Sequence, residues 1–346
     1  MSPGPPNAFS LLAAATTPVV AAAIVLVALV ATGCEARAPT PPPVASQGTS
    51  VPAAPPTPGE PTQVPFRLLV ITSGPGGTRL LLRDPDRLAV DAVSLGLPAD
   101  ATPVAALAVS PGGRLAAVTT DGRAWVARPV AGDLDGPPAW QPLPVEIPRP
   151  GLPGVVLGAT WSRDGDALLL LAGAPGSGTK RTVLAAVPLG GRPASLVEIP
   201  LEADGPGIAA LPDGQTAFVV RDPRDRGALA RLAPAGSFVT LPVAARAVAA
   251  GGDLFAIVGD AEIRVGTLDE LRRGVLPAMP LPLEGGSGVG NVAIAPDGRA
   301  VAIVRLDDAG DPARIEVLRL ATRGWEGAGA VPLEPGTGAV LMAWLP

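Results

Sequence analysis

From residue 66 onward the chain is a succession of short apolar runs broken by polar turns. Runs such as LLVIT (68–72), LLLL (168–171), LFAIV (254–258) and VAIV (301–304) are continuous, not alternating. An apolar run of this length between turn signals predicts a strand covered on both faces. One phrase recurs: an apolar strand, a turn with Pro or Asp followed by Gly, then a second apolar strand. It reads ALAVSPGGRLAAVTT at 106–120, GATWSRDGDALLLLA at 158–172, GIAALPDGQTAFVV at 207–220 and NVAIAPDGRAVAIV at 291–304. A degenerate copy, AVAAGGDLFAIV, fills 247–258. The turns begin near 110, 162, 211, 250 and 295, a spacing of about 40 to 50 residues, which is the period of a propeller blade.

The two ends complete the pattern. AVLMAWLP (339–346) reads as the first strand of another copy, comparable with GATWS. FRLLVITS (66–73), TRLLLRDP (78–85) and AVDAVSLG (89–96) read as second, third and fourth strands with no first strand before them. Pairing the C-terminal strand with these three closes a ring. The expected fold is therefore all-β, a six-bladed β-propeller over residues 66–346. A large antiparallel sandwich of the same strands leaves the displaced first strand unexplained. The strand–Ser/Ala-Pro-Asp-Gly–strand phrase resembles the TolB-like and WD-repeat-like propellers, including lipid-anchored ones of bacterial surfaces. The resemblance spans residues 66–346 and implies a protein-interaction platform more often than an enzyme. The Gly-His and Trp-Asp dipeptides of WD repeats are absent.

Ahead of the repeats lie two segments of different character. Residues 1–33 carry no charged side chain, and VVAAAIVLVALVA (19–31) is apolar throughout. Its length suits the core of a signal peptide and is short for a spanning helix. It ends in Ala31-Thr32-Gly33-Cys34, which resembles a bacterial lipoprotein signal. That resemblance makes Cys34 the mature N-terminus and the site of lipid attachment, with acyl chains such as palmitate. Cys34 is the single cysteine, so no intramolecular disulfide can form, and lipidation disposes of a thiol that would otherwise be exposed. Two or three acyl chains, at ~0.8 kcal/mol per buried methylene, anchor a protein stably. The segment departs from the lipoprotein pattern at Ala31 and in lacking Lys or Arg before the apolar run. The competing reading is an uncleaved anchor spanning 11–33. Residues 34–65 are rich in Pro, Ser, Thr and Ala, the composition of an extended, semi-rigid linker without a core. The expected location is the extracytoplasmic face of the cell envelope.

Composition narrows the chemistry. The chain has 43 Gly and 44 Pro beside a hydrophobic fraction of 47%, as expected where tight turns punctuate many strands. The net charge of -5 gives no basic footprint for nucleic acid. His and Tyr are absent. That removes Ser-His-Asp and Cys-His machinery, imidazole-based metal sites and tyrosine-nucleophile glycoside hydrolysis. No cofactor is expected, and the domain is expected to be monomeric.

Individual motifs mostly reduce to turn chemistry. GAPGSGTKRT (173–182) lacks the Gly-Lys-Ser/Thr junction of a phosphate loop and reads as a hairpin tip. Asp164-Gly165, Asp213-Gly214 and Asp297-Gly298 read as strand-joining turns. RLDDAGDPAR (305–314) reads as a solvated hairpin, since the spacing of a calcium loop is missing. TLDELRRG (267–274) predicts a short helix decorating blade four, with Thr267 as cap and Glu270 completing a capping box. The connections into first strands repeat an acidic phrase: PLEADG (200–205), PLEGGSG (282–288) and PLEPGTG (332–338). In a propeller these connections share one face. Glu202, Asp204, Glu284 and Glu334 are therefore a candidate binding mouth for a cation or a basic partner segment, although repeats also copy solvated loops. No catalytic or metal-ligating residue stands out. The expected function is protein binding or scaffolding, with an unidentified envelope protein as partner and the membrane reached through Cys34. The alternatives are a propeller enzyme with a calcium-dependent hydrolase or lactonase site, and a passive structural surface protein. A carboxylate-lined axis favours the enzyme; an apolar axis favours the scaffold.

Overall fold

The computed structural model describes residues 67–345, apart from 75–76, 85–88, 93–94, 102, 129–137, 146–151, 153, 175–180, 212, 222–226, 233–236, 252–253, 260–262, 274–287 and 322–323. The expected signal segment 1–33, Cys34 and the linker 34–65 lie outside the described residues. The rest is built almost entirely from antiparallel strands.

In chain order the strands are β1 (Arg67–Gly74), β2 (Gly77–Asp84), β3 (Ala89–Ala92), β4 (Val104–Val109), β5 (Leu115–Thr119), β6 (Ala124–Ala127) and β7 (Trp140–Leu143). They continue as β8 (Val155–Trp161), β9 (Ala167–Gly173), β10 (Thr182–Pro188), β11 (Ser195–Ile199), β12 (Ala203–Ala210), β13 (Thr216–Arg221), β14 (Gly227–Leu232) and β15 (Phe238–Ala244). The last are β16 (Ala247–Gly251), β17 (Leu254–Val258), β18 (Ile263–Thr267), β19 (Val289–Ile294), β20 (Ala300–Leu306), β21 (Pro312–Ala321), β22 (Gly324–Pro332) and β23 (Val340–Leu345), with one short helix, α1 (Leu268–Arg273), between β18 and β19.

The sheets follow the repeats. β4–β7, β8–β11, β12–β15 and β19–β22 are four-stranded meanders, and β16–β18 is three-stranded among the described residues. The remaining sheet has the order β23-β1-β2-β3. There β23 runs antiparallel to β1, with Val340 opposite Thr72 and Leu345 opposite Arg67. The first strands meet in sequence: β4 touches β8, then β12, β16, β19 and β23 follow in turn, and β23 touches β4. Sheets radiating from such a closed ring of inner strands make an all-β propeller.

The continuous apolar runs now have a physical reason. Each gap between neighbouring sheets holds its own core, and successive residues of a second strand serve different gaps. On β20, Ala300, Ala302 and Val304 pack toward β23 and β1, while Val301 and Ile303 pack toward the β16–β18 sheet. On β13, Phe218 and Val220 face the β8–β11 sheet, and Ala217 and Val219 face β16 and β17. Period-two alternation persists in direction, but both directions are dry, so polarity does not alternate. Outer strands differ: β7 exposes its middle residues Gln141 and Pro142, and β11 exposes Ser195 and Glu198.

Turns between first and second strands share one geometry. The N–H groups of Gly113, Gly165, Gly214 and Gly298 donate to Ser110, Ser162, Leu211 and Ala295. These glycines have φ between 71° and 78°, the left-handed region that L side chains avoid. In three of the turns the preceding Asp caps the backbone: Asp164, Asp213 and Asp297 accept from the N–H of Asp166, Gln215 and Arg299. The 305–314 hairpin works alike, with one Asp307 carboxylate oxygen accepting from the N–H of Ala309 and Asp311. The ends of the 173–182 hairpin pair Gly173 with Thr182; its tip, 175–180, lies outside the described residues.

Candidate functional site

The inner strands enclose an axial cavity of about 490 Å³. Every one of them contributes to its wall, from Ala105–Pro111 on β4 and its turn round to Leu341–Trp344 on β23. Most wall side chains are small, such as Ala106, Ala159, Ala209, Ala249, Ala293 and Ala343. Small residues fit because the inner strands converge there and each leaves one backbone edge toward the axis. Glycine serves the closest approaches: a Cβ on Gly207 would sit 2.8 Å from the Val248 backbone nitrogen.

Bulges shape one end of this wall. The ladders shift register at Val104/Ala106 on β4, Val156/Gly158 on β8, Ala203/Ile208 on β12 and Val289/Asn291 on β19. All begin within the first three residues of a first strand. A bulge turns the strand and re-aims its side chains. At the β8 bulge Leu157, the unpaired residue, packs against the core between β8–β11 and β12–β15.

Polar side chains on the wall are few and mostly committed. The indole N–H of Trp161 donates to the Ala108 carbonyl at 3.3 Å, and that of Trp344 to the Ala293 carbonyl at 3.2 Å. Both indoles are buried and occupy equivalent places, Trp161 opposite Leu168 and Trp344 opposite Leu68. Asn291 donates to the Val340 carbonyl and accepts from the Val292 N–H. The Arg114 guanidinium lies 5.8 Å from the Trp161 ring centre and donates to the Gly165 carbonyl, tying two neighbouring turns together. Arg163, exposed on its turn, is the single charged residue among the described lining residues. Among the described residues no three His, Cys, Asp or Glu side chains gather closely enough to hold a metal.

The acidic phrases are placed as follows. Glu202 directly precedes β12, and its carbonyl accepts from the Arg221 N–H at 2.7 Å. Glu334 is exposed in the turn before β23, where its carbonyl accepts from the Thr337 N–H and hydroxyl. These two residues lead into inner strands separated by β16 and β19, and neither lines the cavity. The Asp204 side chain and all of Glu284 lie outside the described residues.

Two further charged features lie away from the cavity, of which the sequence reading missed the first. Arg305 is buried on β20 and pairs with Glu316 at 2.6 Å, and Glu316 also holds Arg314 at 2.6 Å. The signal is an Arg inside an apolar run, AVAIVRL, beside a Glu inside the next, RIEVL. Three surface carboxyls sit below their ordinary range. The Thr119 hydroxyl, aided by Arg123, lowers Asp121, and the Ser162 hydroxyl and Asp166 N–H lower Asp164. The Thr267 N–H and hydroxyl lower Glu270.

No family model matches the chain, and no curated protein does. Solved structures do. A putative TolB from Agrobacterium tumefaciens has a TM-score of 0.47 at 13% identity, covering 81% of this chain and 98% of that one. A protein from Lactobacillus plantarum has a TM-score of 0.45 at 12% identity, covering 78% and 82%. The GH74 enzyme of Niastella koreensis has a TM-score of 0.45 at 14% identity, covering 65% of this chain and 36% of that chain. The propeller assignment rests on the sheet order and the closed ring of inner strands, not on these likenesses.

Proposed function

We propose that the chain is a cell-envelope lipoprotein whose propeller is a non-enzymatic binding or scaffolding module. In this reading residues 1–33 direct export, Cys34 carries the lipid, 34–65 form a stalk, and the six sheets from residue 66 act as six blades. The domain then works on the extracytoplasmic face of the membrane and binds another envelope protein. The observation that carries the non-enzymatic half is the axial wall. A calcium-dependent hydrolase needs several carboxylate or amide oxygens converging on one point. The described wall has no Asp or Glu, and the amide of Asn291 already serves Val340 and Val292. The anchoring half rests on the apolar run 19–31 ending at Cys34.

Two measurements test this. Mass spectrometry of the mature N-terminus should find an acylated Cys34, and an unmodified Cys34 behind intact residues 1–33 sinks the lipoprotein reading. Cross-linking and pull-down of the full chain from membranes should recover a stoichiometric protein partner. Recovery of the chain alone, together with turnover of an ester or lactone substrate, replaces scaffolding with catalysis.

A further inference from the structure

We infer that Asn291 and Trp344 form a clasp that keeps the propeller ring shut. First and second strands elsewhere are joined by tight turns, as Ser110–Arg114 joins β4 to β5 and Ala295–Arg299 joins β19 to β20. β23 and β1 have no such turn: Leu345 opposes Arg67 with the whole domain as the intervening loop. Loop-closure entropy grows with loop length, so this pairing costs more to form than any other first-to-second strand contact.

Beside this seam, on the flank of β23 that faces β19, the molecule places two side-chain bonds. The Trp344 indole reaches from β23 to the Ala293 carbonyl on β19, and the Asn291 amide reaches back from β19 to the Val340 carbonyl on β23. The two bonds cross between the same pair of strands in opposite directions, near opposite ends of β23. The β19 bulge between Val289 and Asn291 precedes the amide, and the Asn291 carbonyl oxygen is fixed by the Val292 N–H. At the corresponding places β4 and β8 carry Ala106 and Gly158, which have no side-chain donor. Trp161 repeats only the indole half, between β8 and β4. Anchored in this way to β19, β23 presents its free edge as the template on which β1 docks. Val340, Met342 and Trp344 then pack with Leu68 and Val70 in one core.

Hydrogen exchange of the full chain in detergent micelles, read by mass spectrometry of peptides covering 67–74 and 340–345, tests the clasp. Asn291→Ala and Trp344→Phe should each speed exchange in both peptides by ~5-fold, the effect of one net hydrogen bond on local opening. Trp161→Phe removes the same kind of bond away from the seam. It should speed exchange in 155–161 and leave both seam peptides unchanged. Asn291→Asp keeps the acceptor for the Val292 N–H and loses the donor to Val340, so it carries the test if Trp344→Phe fails to fold. The clasp is overturned if the Asn291 variants leave 67–74 and 340–345 at wild-type rates. It is equally overturned if Trp161→Phe speeds those two peptides as much as the seam variants do.

Discussion

At the scale of single residues, local polar pairs do structural work that can be measured. Glu316 neutralises Arg305, whose side chain is 2% exposed, while its second oxygen holds the half-exposed Arg314. Removing one partner of a buried ion pair strands the other charge in a low-dielectric site. Glu316→Ala is therefore expected to destabilise the domain by about 3–5 kcal/mol in urea unfolding. Arg314→Ala, which leaves the buried pair intact, should cost well under half as much. The Thr267–Glu270 pair gives a pH prediction. Its bonds hold the Glu270 carboxyl below its ordinary value of 4.5. A carboxylate with a depressed folded pKa contributes stability above its unfolded pKa and loses it as pH falls through the folded one. The α1 cap should thus persist at pH 4.5 and fail only in more acid solution. Thr267→Ala should return the Glu270 titration, followed by carboxyl NMR, toward the ordinary value. An unmoved titration would assign the shift to the residue-267 N–H, which the variant keeps, and not to the hydroxyl.

At the scale of elements, the inner strands are packed closely enough that a single methyl group is felt. A Cβ on Gly251 would fall on the carbonyl oxygens of Ala295 and Ile294, on the neighbouring inner strand. Backbone cannot yield as a flexible side chain can, so Gly251→Ala should cost about 1–3 kcal/mol. Gly327→Ala on β22, where a Cβ meets nothing within 4 Å, should be neutral to within ~0.5 kcal/mol. Equal effects would mean that the approach of β16 to β19 is not tight in solution. The same contrast separates what is legible in sequence from what is not. First and second strands and their turns can be read because the Pro/Asp-Gly signal and the apolar runs are local. Helix α1 can be read because its cap spans four residues, and the Thr267–Glu270 bonds have the predicted pattern. The outer strand β7, WQPL, gives no such signal, since its exposed middle residues obey no burial pattern. The indole bonds are invisible for a different reason. Trp161 and Ala108 are 53 residues apart, Trp344 and Ala293 are 51, and only the ring makes them neighbours.

At the scale of the molecule, the make-up of the axial wall was half legible in the sequence. The first strands are visibly poor in carboxylates, but that these strands face one another across a cavity follows from the radial arrangement alone. The acidic phrases are equally visible, and Glu202 and Glu334 lead into separate inner strands, as repeat connections do, without lining the cavity wall. Calcium distinguishes the outcomes. A ligand that binds only the folded state at 100 times its Kd adds ~2.7 kcal/mol to stability. For a domain of this size each kcal/mol moves Tm by ~2 °C, so an axial calcium site at that saturation would raise Tm by ~5 °C. The expected result is the same Tm in EGTA and in millimolar calcium. A calcium-dependent rise that survives the combined Glu202→Ala, Glu284→Ala and Glu334→Ala variant would place the cation elsewhere and argue for a catalytic axis. A rise that the triple variant abolishes would make the acidic mouth a cation site. With no rise, the triple variant still reports on binding: loss of partner capture at unchanged Tm assigns the mouth to a basic segment of the partner, and unchanged capture moves the docking surface off this face.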